Sequence, residues 1–201
     1  TTCLGIYNFG IRALILLVAT VLSCVLSETV FNLILKKKNT IGDLSAVVTG
    51  LLLAFNLPST IPMWMIPIGA FVAIVVVKQF FGGIGQNFAN PAIAARIVLM
   101  LSFTSHMSSW VTPYFYSGAV DAETSATPLA AGWVNYTESG VNYKMAPFTF
   151  SEMLWGETGG CIGETCAIAL IVGGLFLIFA KVISAATPVA LIGSFAVLTL
   201  I

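Results

Sequence analysis

Charge is what this sequence has least of. Its 201 residues hold eight Lys or Arg and eight Asp or Glu, 8% in all, against about 25% in a soluble globular domain. Hydrophobic residues make up 58% and the mean hydropathy is +1.01, which excludes a water-soluble domain. The formal net charge is zero, so there is no basic field for a nucleic acid, and nucleic-acid binding is excluded. Histidine is nearly missing: His106 stands alone near a helix end without a ligand partner. The four cysteines, Cys3, Cys24, Cys161 and Cys166, form no C-x-x-C pair and no metal spacing, so no metal is assigned. Cys161 and Cys166 are close enough for a disulfide or a shared ligand, or are simply two small residues. An initiating methionine is also absent, and the chain stops inside an apolar run, as expected of part of a longer membrane protein.

What is present is a set of long apolar runs. Ala13 to Ser27 contains no ionisable side chain except Cys24, Glu28 follows, and apolar residues continue to Leu35 before Lys36, Lys37 and Lys38. That reads as a retained spanning helix with a basic anchor. Asp43 can cap a second segment, Leu44 to Leu57, which stops before Pro58 and is too short to cross. Pro62 to Val77, about 24 Å as a helix, then meets Lys78. A fourth segment opens at Pro91, carries Arg96 near its start and runs to about Trp110. Thr165 to Ala180, bounded by Lys181, and Pro188 to Ile201 complete six hydrophobic elements.

If Lys36 to Lys38 lie on the inner side of the membrane, and the short second element counts as a crossing, alternation puts Lys78, Arg96 and Lys181 there too, with Arg12 the exception. Residues 111–162 then fall outside. An internal repeat accompanies this: Gly42-Asp43-Leu44-Ser45-Ala46 aligns with Gly163-Glu164-Thr165-Cys166-Ala167, and Ile68-Gly69-Ala70-Phe71 with Ile192-Gly193-Ser194-Phe195. Three membrane elements separate the copies, which inverts one relative to the other. The fold expected is an all-α polytopic membrane protein, an inverted-repeat helical bundle with broken or short helices. Residues 1–110 form the first repeat, 111–162 an extracytoplasmic loop and 163–201 the start of the second repeat.

Several residues are candidates for chemistry. Glu28, Asp43 and Glu164 lie in or beside membrane segments, where a carboxylate costs about 2.5 to 3.5 kcal/mol to insert, so each is a candidate for an ion or proton path. For Asp43 and Glu164 the stronger reading is a helix-start cap on free amides. The run Phe80 to Pro91 is glycine-rich; Gly83, Gly85, Asn87 and Asn90 make it a tight re-entrant turn or a ligand site. Gly82-Gly83-Ile84-Gly85 lacks the G-x-G-x-x-G nucleotide spacing.

On the outer loop, Thr124-Ser125-Ala126-Thr127, with Asp121 three residues ahead, resembles the flavinylation signal [Ser/Thr]-[Gly/Ser]-Ala-[Thr/Ser], whose last hydroxyl takes FMN as a phosphoester. Gly42-Asp43-Leu44-Ser45, Thr49-Gly50-Leu51-Leu52-Leu53-Ala54, Phe81 to Asn87, Asn90-Pro91-Ala92 and Ile162-Gly163-Glu164-Thr165 extend the likeness from about residue 42 to 201. Together they resemble the family joining the D subunit of the Rnf complex, an ion-translocating ferredoxin:NAD oxidoreductase, to the B subunit of the sodium-pumping NADH:quinone reductase. Thr-Ser-Ala-Thr-Pro-Leu and the compact loops look more like the Rnf D subunit. Cys166 departs from the pattern, where serine is expected.

The resemblance implies an electron carrier in the bacterial or archaeal cytoplasmic membrane, with FMN on Thr127 and no catalytic acid, base or nucleophile in this chain. It also implies a noncovalent riboflavin, looked for at Gly83, Gly85, Asn87 and Asn90. Partners would be flavin and iron–sulfur subunits, a flavin transferase for maturation, and the lipid bilayer; the coupled ion would be Na⁺ or H⁺. The rival readings are the B-type subunit, a non-redox inverted-repeat transporter or channel, and a structural scaffold.

Overall fold

The computed structural model describes residues 2–36, 41–83, 85–111, 113, 149–164 and 166–200. All of its described regular elements are helical. Helix α1 spans Thr2–Ile34, 33 residues, about 50 Å if straight. It begins well before Ala13 because a further helical stretch precedes Gly10, whose non-helical φ of 70° and ψ of −161° make a kink between the two stretches. Among the described residues, α1 alone is long and apolar enough to cross a membrane by itself.

The two faces of α1 reverse the order of a soluble helix. Its outer face exposes Ile11, Ile15, Val18, Leu22, Leu26 and Val30, whereas Asn8, Thr20, Glu28 and Asn32 are buried beside Phe9, Ala13, Leu16 and Cys24. Aliphatic residues outward and polar residues inward suit a lipid surround, where unsatisfied polar groups must face the bundle.

A 3₁₀ turn at Ile41–Asp43 leads to helix α2, Ser45–Phe55. At 11 residues it rises about 16 Å, half of a hydrocarbon core of about 30 Å, as the run before Pro58 predicts. Asp43 does meet the helix start, but from one position before the cap: its Oδ1 accepts from Ser45 N at 2.9 Å and from the Ser45 hydroxyl, while Leu44 takes a left-handed conformation (φ 56°). Gly50 lets α2 lie against α1, since a Cβ there would come 2.8 Å from Val21 Cα.

Helix α3, Met65–Phe71, passes without interruption into a π-helical stretch, Val72–Gln79. Five of the six residues from Val72 to Val77 are β-branched, which lowers helix propensity slightly, and the wider winding continues into the bond from Phe80 N to Val75 O at 3.1 Å. Eight residues of π geometry are unusual, and such stretches concentrate at functional sites. Helix α4, Pro91–Ser102, starts where Pro91 and the Asn90 cap on Ala92 N (3.0 Å) predict. It ends earlier than Trp110, because Phe103 leaves helical geometry before a short α5, Thr104–Met107.

Helix α6, Phe150–Trp155, lies within the stretch read as loop; a capping box between Thr149 and Glu152 starts it. Helices α7, Ala167–Phe179, and α8, Ala186–Leu200, occupy the last two apolar runs. The core lies among α1, α2, α3, its π extension and α4, where Leu53, Leu57, Ile61, Met65, Ile74 and Leu99 are fully buried.

Candidate functional site

The polar interior of this core is a network drawn from three elements and the 3₁₀ turn. Glu28 on α1 is completely buried, and Lys78 on the π stretch is 2% exposed. Lys78 Nζ donates to Glu28 Oε1 at 2.9 Å, and Gln79 Nε2 donates to the same oxygen at 2.7 Å. Lys78 also donates to the Ser45 hydroxyl, which in turn donates to Asp43 Oδ1. A carboxylate inside an apolar helix needs such partners, and the π winding brings two consecutive side chains, Lys78 and Gln79, to one oxygen. Asp43 sits at the exposed end of the network. The Ser45 side-chain hydrogen bond, followed by the Ser45 amide, holds its carboxyl below the ordinary carboxylate range.

A second cluster closes the broken end of α2. Arg96 donates to Asn56 Oδ1 at 2.9 Å and to Cys161 Sγ at 3.4 Å, and the Cys161 thiol donates to the Asn56 carbonyl at 3.4 Å. Ile162 N and Gly163 N donate to the carbonyls of Leu57 and Phe55 at 3.3 and 3.0 Å, supplying donors that the helix end lacks. Gly163 is essential to this approach: a Cβ there would fall 2.4 Å from Phe55 Cβ. Glu164 turns back to accept from Cys161 N at 3.2 Å, and α7 starts at Cys166 without a side-chain cap.

Lys78 and Arg96, read in the sequence as charges flanking the membrane, are thus engaged within the bundle. The positive-inside argument then rests on Lys36 to Lys38 and Lys181. At the other end of α1, Arg12 donates to the Thr60 carbonyl at 3.2 Å and Asn8 to the Gly156 carbonyl at 3.2 Å, which joins α1 to the segment after α6.

The glycine-rich turn is held by its own polar groups. Gly82, Gly83 and Gly85 have φ values of 105°, 99° and 82°, a region that strongly favours glycine. With its amide oriented by the hydrogen-bond network, Asn87 donates to Gly83 O at 2.9 Å and lies 3.3 Å from the carbonyls of Lys78 and Val77. Asn90 caps α4. Both side chains therefore serve helix ends, while Gly83 and Gly85 have open space where a side chain would project.

Asp121, Thr124, Ser125, Ala126 and Thr127 lie outside the described residues. Among the described residues no three His, Cys, Asp or Glu side chains are grouped to hold a metal ion, and His106 is exposed at the end of α5. Sequence reasoning found Glu28 and Asp43 but missed Ser45 and Gln79 and read Lys78 as a charge bounding the third segment on the inner side. The signal for it was Glu28 itself, since an acidic residue deep in an apolar run calls for a cation at similar depth on another element.

A family model described as NQR2, RnfD, RnfE matches residues 1–201. The chain belongs to this family. It is 44% identical over 197 residues to the D subunit of the Na(+)-translocating ferredoxin:NAD(+) oxidoreductase complex of Acetobacterium woodii, covering 97% of this chain and 58% of that protein. It is 39% identical to the D subunit of the proton-translocating ferredoxin:NAD(+) oxidoreductase complex of Clostridium ljungdahlii, with coverage of 97% and 59%. With the D subunit of the ion-translocating oxidoreductase complex of Rhodobacter capsulatus the identity is 31%, with coverage of 100% and 62%. The chain therefore spans 58% to 62% of the length of these curated relatives.

Proposed function

We propose that this chain is the membrane electron-carrying part of a D subunit in an ion-translocating ferredoxin:NAD oxidoreductase complex, with FMN esterified to Thr127. The observation that carries the reading is the Asp121 to Thr127 sequence, in a chain 44% identical to a protein named as such a subunit. FMN, when attached, supplies the redox chemistry; the chain supplies position and electrostatics. Thr127 contributes the hydroxyl for the phosphoester. The small side chains of Ser125 and Ala126 give a modifying transferase room to bring a bulky dinucleotide against the strand. Residues 111–162 lie on the extracytoplasmic side in this reading.

A noncovalent flavin would meet the backbone at Gly83 and Gly85, where the turn has open space, rather than the side chains of Asn87 and Asn90, which hold helix ends. The two halves form inverted repeats in this reading, each with an acidic residue before a short apolar helix, α2 after Asp43 and α7 after Glu164. The contact of Cys161 to Gly163 with the end of α2 supports pairing of the halves. Coupling then requires that a change of charge on the flavin stabilise one arrangement of the halves over the other. Asp43 and Glu164 are the carboxylates placed on the ion path, with Na⁺ or H⁺ as the coupled ion. Flavin and iron–sulfur subunits are the electron-transfer partners.

The test is ultraviolet fluorescence of the denatured full-length subunit in a gel, after co-expression with its flavin transferase. A fluorescent wild-type band and a dark Thr127→Ala band are expected. Equal fluorescence in both would remove Thr127 from the account, and no fluorescence in either would favour a non-redox transporter.

A further inference from the structure

The last turn of the π stretch is held from two sides. Towards α1, the consecutive residues Lys78 and Gln79 donate to one Glu28 oxygen at 2.9 and 2.7 Å. Towards the glycine-rich turn, the half-buried Asn87 amide, donating to Gly83 O at 2.9 Å, lies 3.3 Å from the carbonyls of Val77 and Lys78. Gly83 N donates to Lys78 O at 3.0 Å and Phe80 N to Val75 O at 3.1 Å, each bond reaching back five residues. Such a ring encloses one residue more than an α turn. The chain that follows can take up that residue: Gly82, Gly83 and Gly85 are at positive φ, and a Cβ on Gly83 or Gly85 would meet nothing within 4 Å.

We infer that Val72–Gln79 is a two-state segment, latched in its π winding by the Asn87 side chain, and that rewinding it as an α-helix takes Lys78 and Gln79 off Glu28. Rewinding passes the surplus residue into the glycine-rich turn and rotates the side chains beyond the rewound point by about 100° about the helix axis. Two discrete hydrogen-bond patterns make the segment switch rather than bend. Asn87 is a positioning residue in this device: its amide bonds backbone carbonyls, and it acts on the Glu28 pair through the helix that carries Lys78. Any group that draws the Asn87 amide away from Val77 and Lys78 therefore reaches the buried pair along a continuous helix. Because latch and pair stabilise the same winding, loosening either loosens the other. Asn90, three residues further on, caps α4 instead and serves as the control.

The experiment takes two mass-spectrometric readings on the full-length subunit in its purified complex: lysine acetylation by brief treatment with acetic anhydride, and backbone hydrogen exchange. In the wild type Lys78, 2% exposed, should acetylate far more slowly than the exposed Lys36. Asn87→Ala should speed acetylation of Lys78 and exchange over residues 75–83 by roughly tenfold or more, through local opening, with Lys36 unchanged. Glu28→Gln should speed exchange over the same residues, because the pair holds the same winding. Asn90→Ala should speed exchange at the start of α4 and leave Lys78 protected. Asn87→Asp, of the same size but without the amide donor, should behave as Asn87→Ala and carries the test if that variant folds poorly. Lys78 as protected in the Asn87 variants as in the wild type, unchanged exchange over 75–83 in Glu28→Gln, or an equal rise across α2 and α4 would overturn the latch. Neither reading depends on Thr127 or on a bound flavin, so the outcome stands apart from that of the gel-fluorescence test.

Discussion

Glu28 and Lys78 stand 50 residues apart in the sequence and 2.9 Å apart in the fold. Removing one partner leaves a buried charge without its counter-ion, at a cost of about 3–5 kcal/mol, whereas replacing both by apolar groups is often nearly neutral. Glu28→Leu and Lys78→Met should therefore each lower the melting temperature of the detergent-solubilised complex markedly, and the double variant should recover most of the loss. Additive losses would show that the two side chains act independently.

Close approach of backbones makes a second prediction. Gly163→Ala places a methyl group against Phe55, where a Cβ would stand 2.4 Å from the neighbouring Cβ, and should destabilise by about 1–3 kcal/mol through overpacking. Gly173 lies inside α7 with nothing within 4 Å of its Cβ position, and Gly173→Ala should be neutral or stabilising by about 1 kcal/mol from helix propensity. Melting curves of the two variants against wild type make the comparison.

Asp43 gives a pH prediction. Its carboxyl is held below the ordinary range, first by the Ser45 side chain. A depressed folded-state value contributes stability above the unfolded carboxylate value of about 3.9, and that contribution is lost as pH falls through the folded value. Asp43→Asn should flatten the acid side of a stability-versus-pH curve measured from pH 6 to pH 3 and leave its slope near neutrality unchanged. A wild-type slope at acid pH in the variant would contradict the assignment.

Thiol accessibility supplies a fourth. Cys3 is exposed, whereas Cys24, Cys161 and Cys166 are buried and free, and burial pushes the Cys161 thiol further up from its ordinary value. Brief treatment of the folded protein with N-ethylmaleimide should add one label, at Cys3, and denaturation should expose all four. Rapid labelling of Cys161 in the folded state would contradict its place against Asn56 and Arg96.

Apolar runs and their punctuation made most helices readable in the sequence. Pro58 and Asp43 bound α2, Asn90 and Pro91 start α4, and the runs before and after Lys181 become α7 and α8. Local pattern was silent where geometry depends on distant partners. A helical stretch on the far side of the Gly10 kink extends α1 beyond the uninterrupted apolar run, and the π winding of Val72–Gln79 has the same periodic signature as an ordinary apolar helix. Lys78 looked like a flank charge because it follows an apolar run; only packing against α1 shows that it faces Glu28. Arg96 was misleading for the same reason, since its partners Asn56 and Cys161 are brought to it by a helix break and a returning loop. Glu164 resembled Asp43 in sequence, yet Glu164 accepts from the earlier residue Cys161 and Asp43 from the later residue Ser45.

The most direct measurement for the central claim is mass spectrometry of the peptide containing Thr127 from the mature, full-length subunit. The account predicts that this peptide carries the added mass of FMN in a phosphoester, with fragmentation placing it on Thr127 and no modified peptide from Thr127→Ala. An unmodified Thr127 in protein matured with its flavin transferase would contradict it.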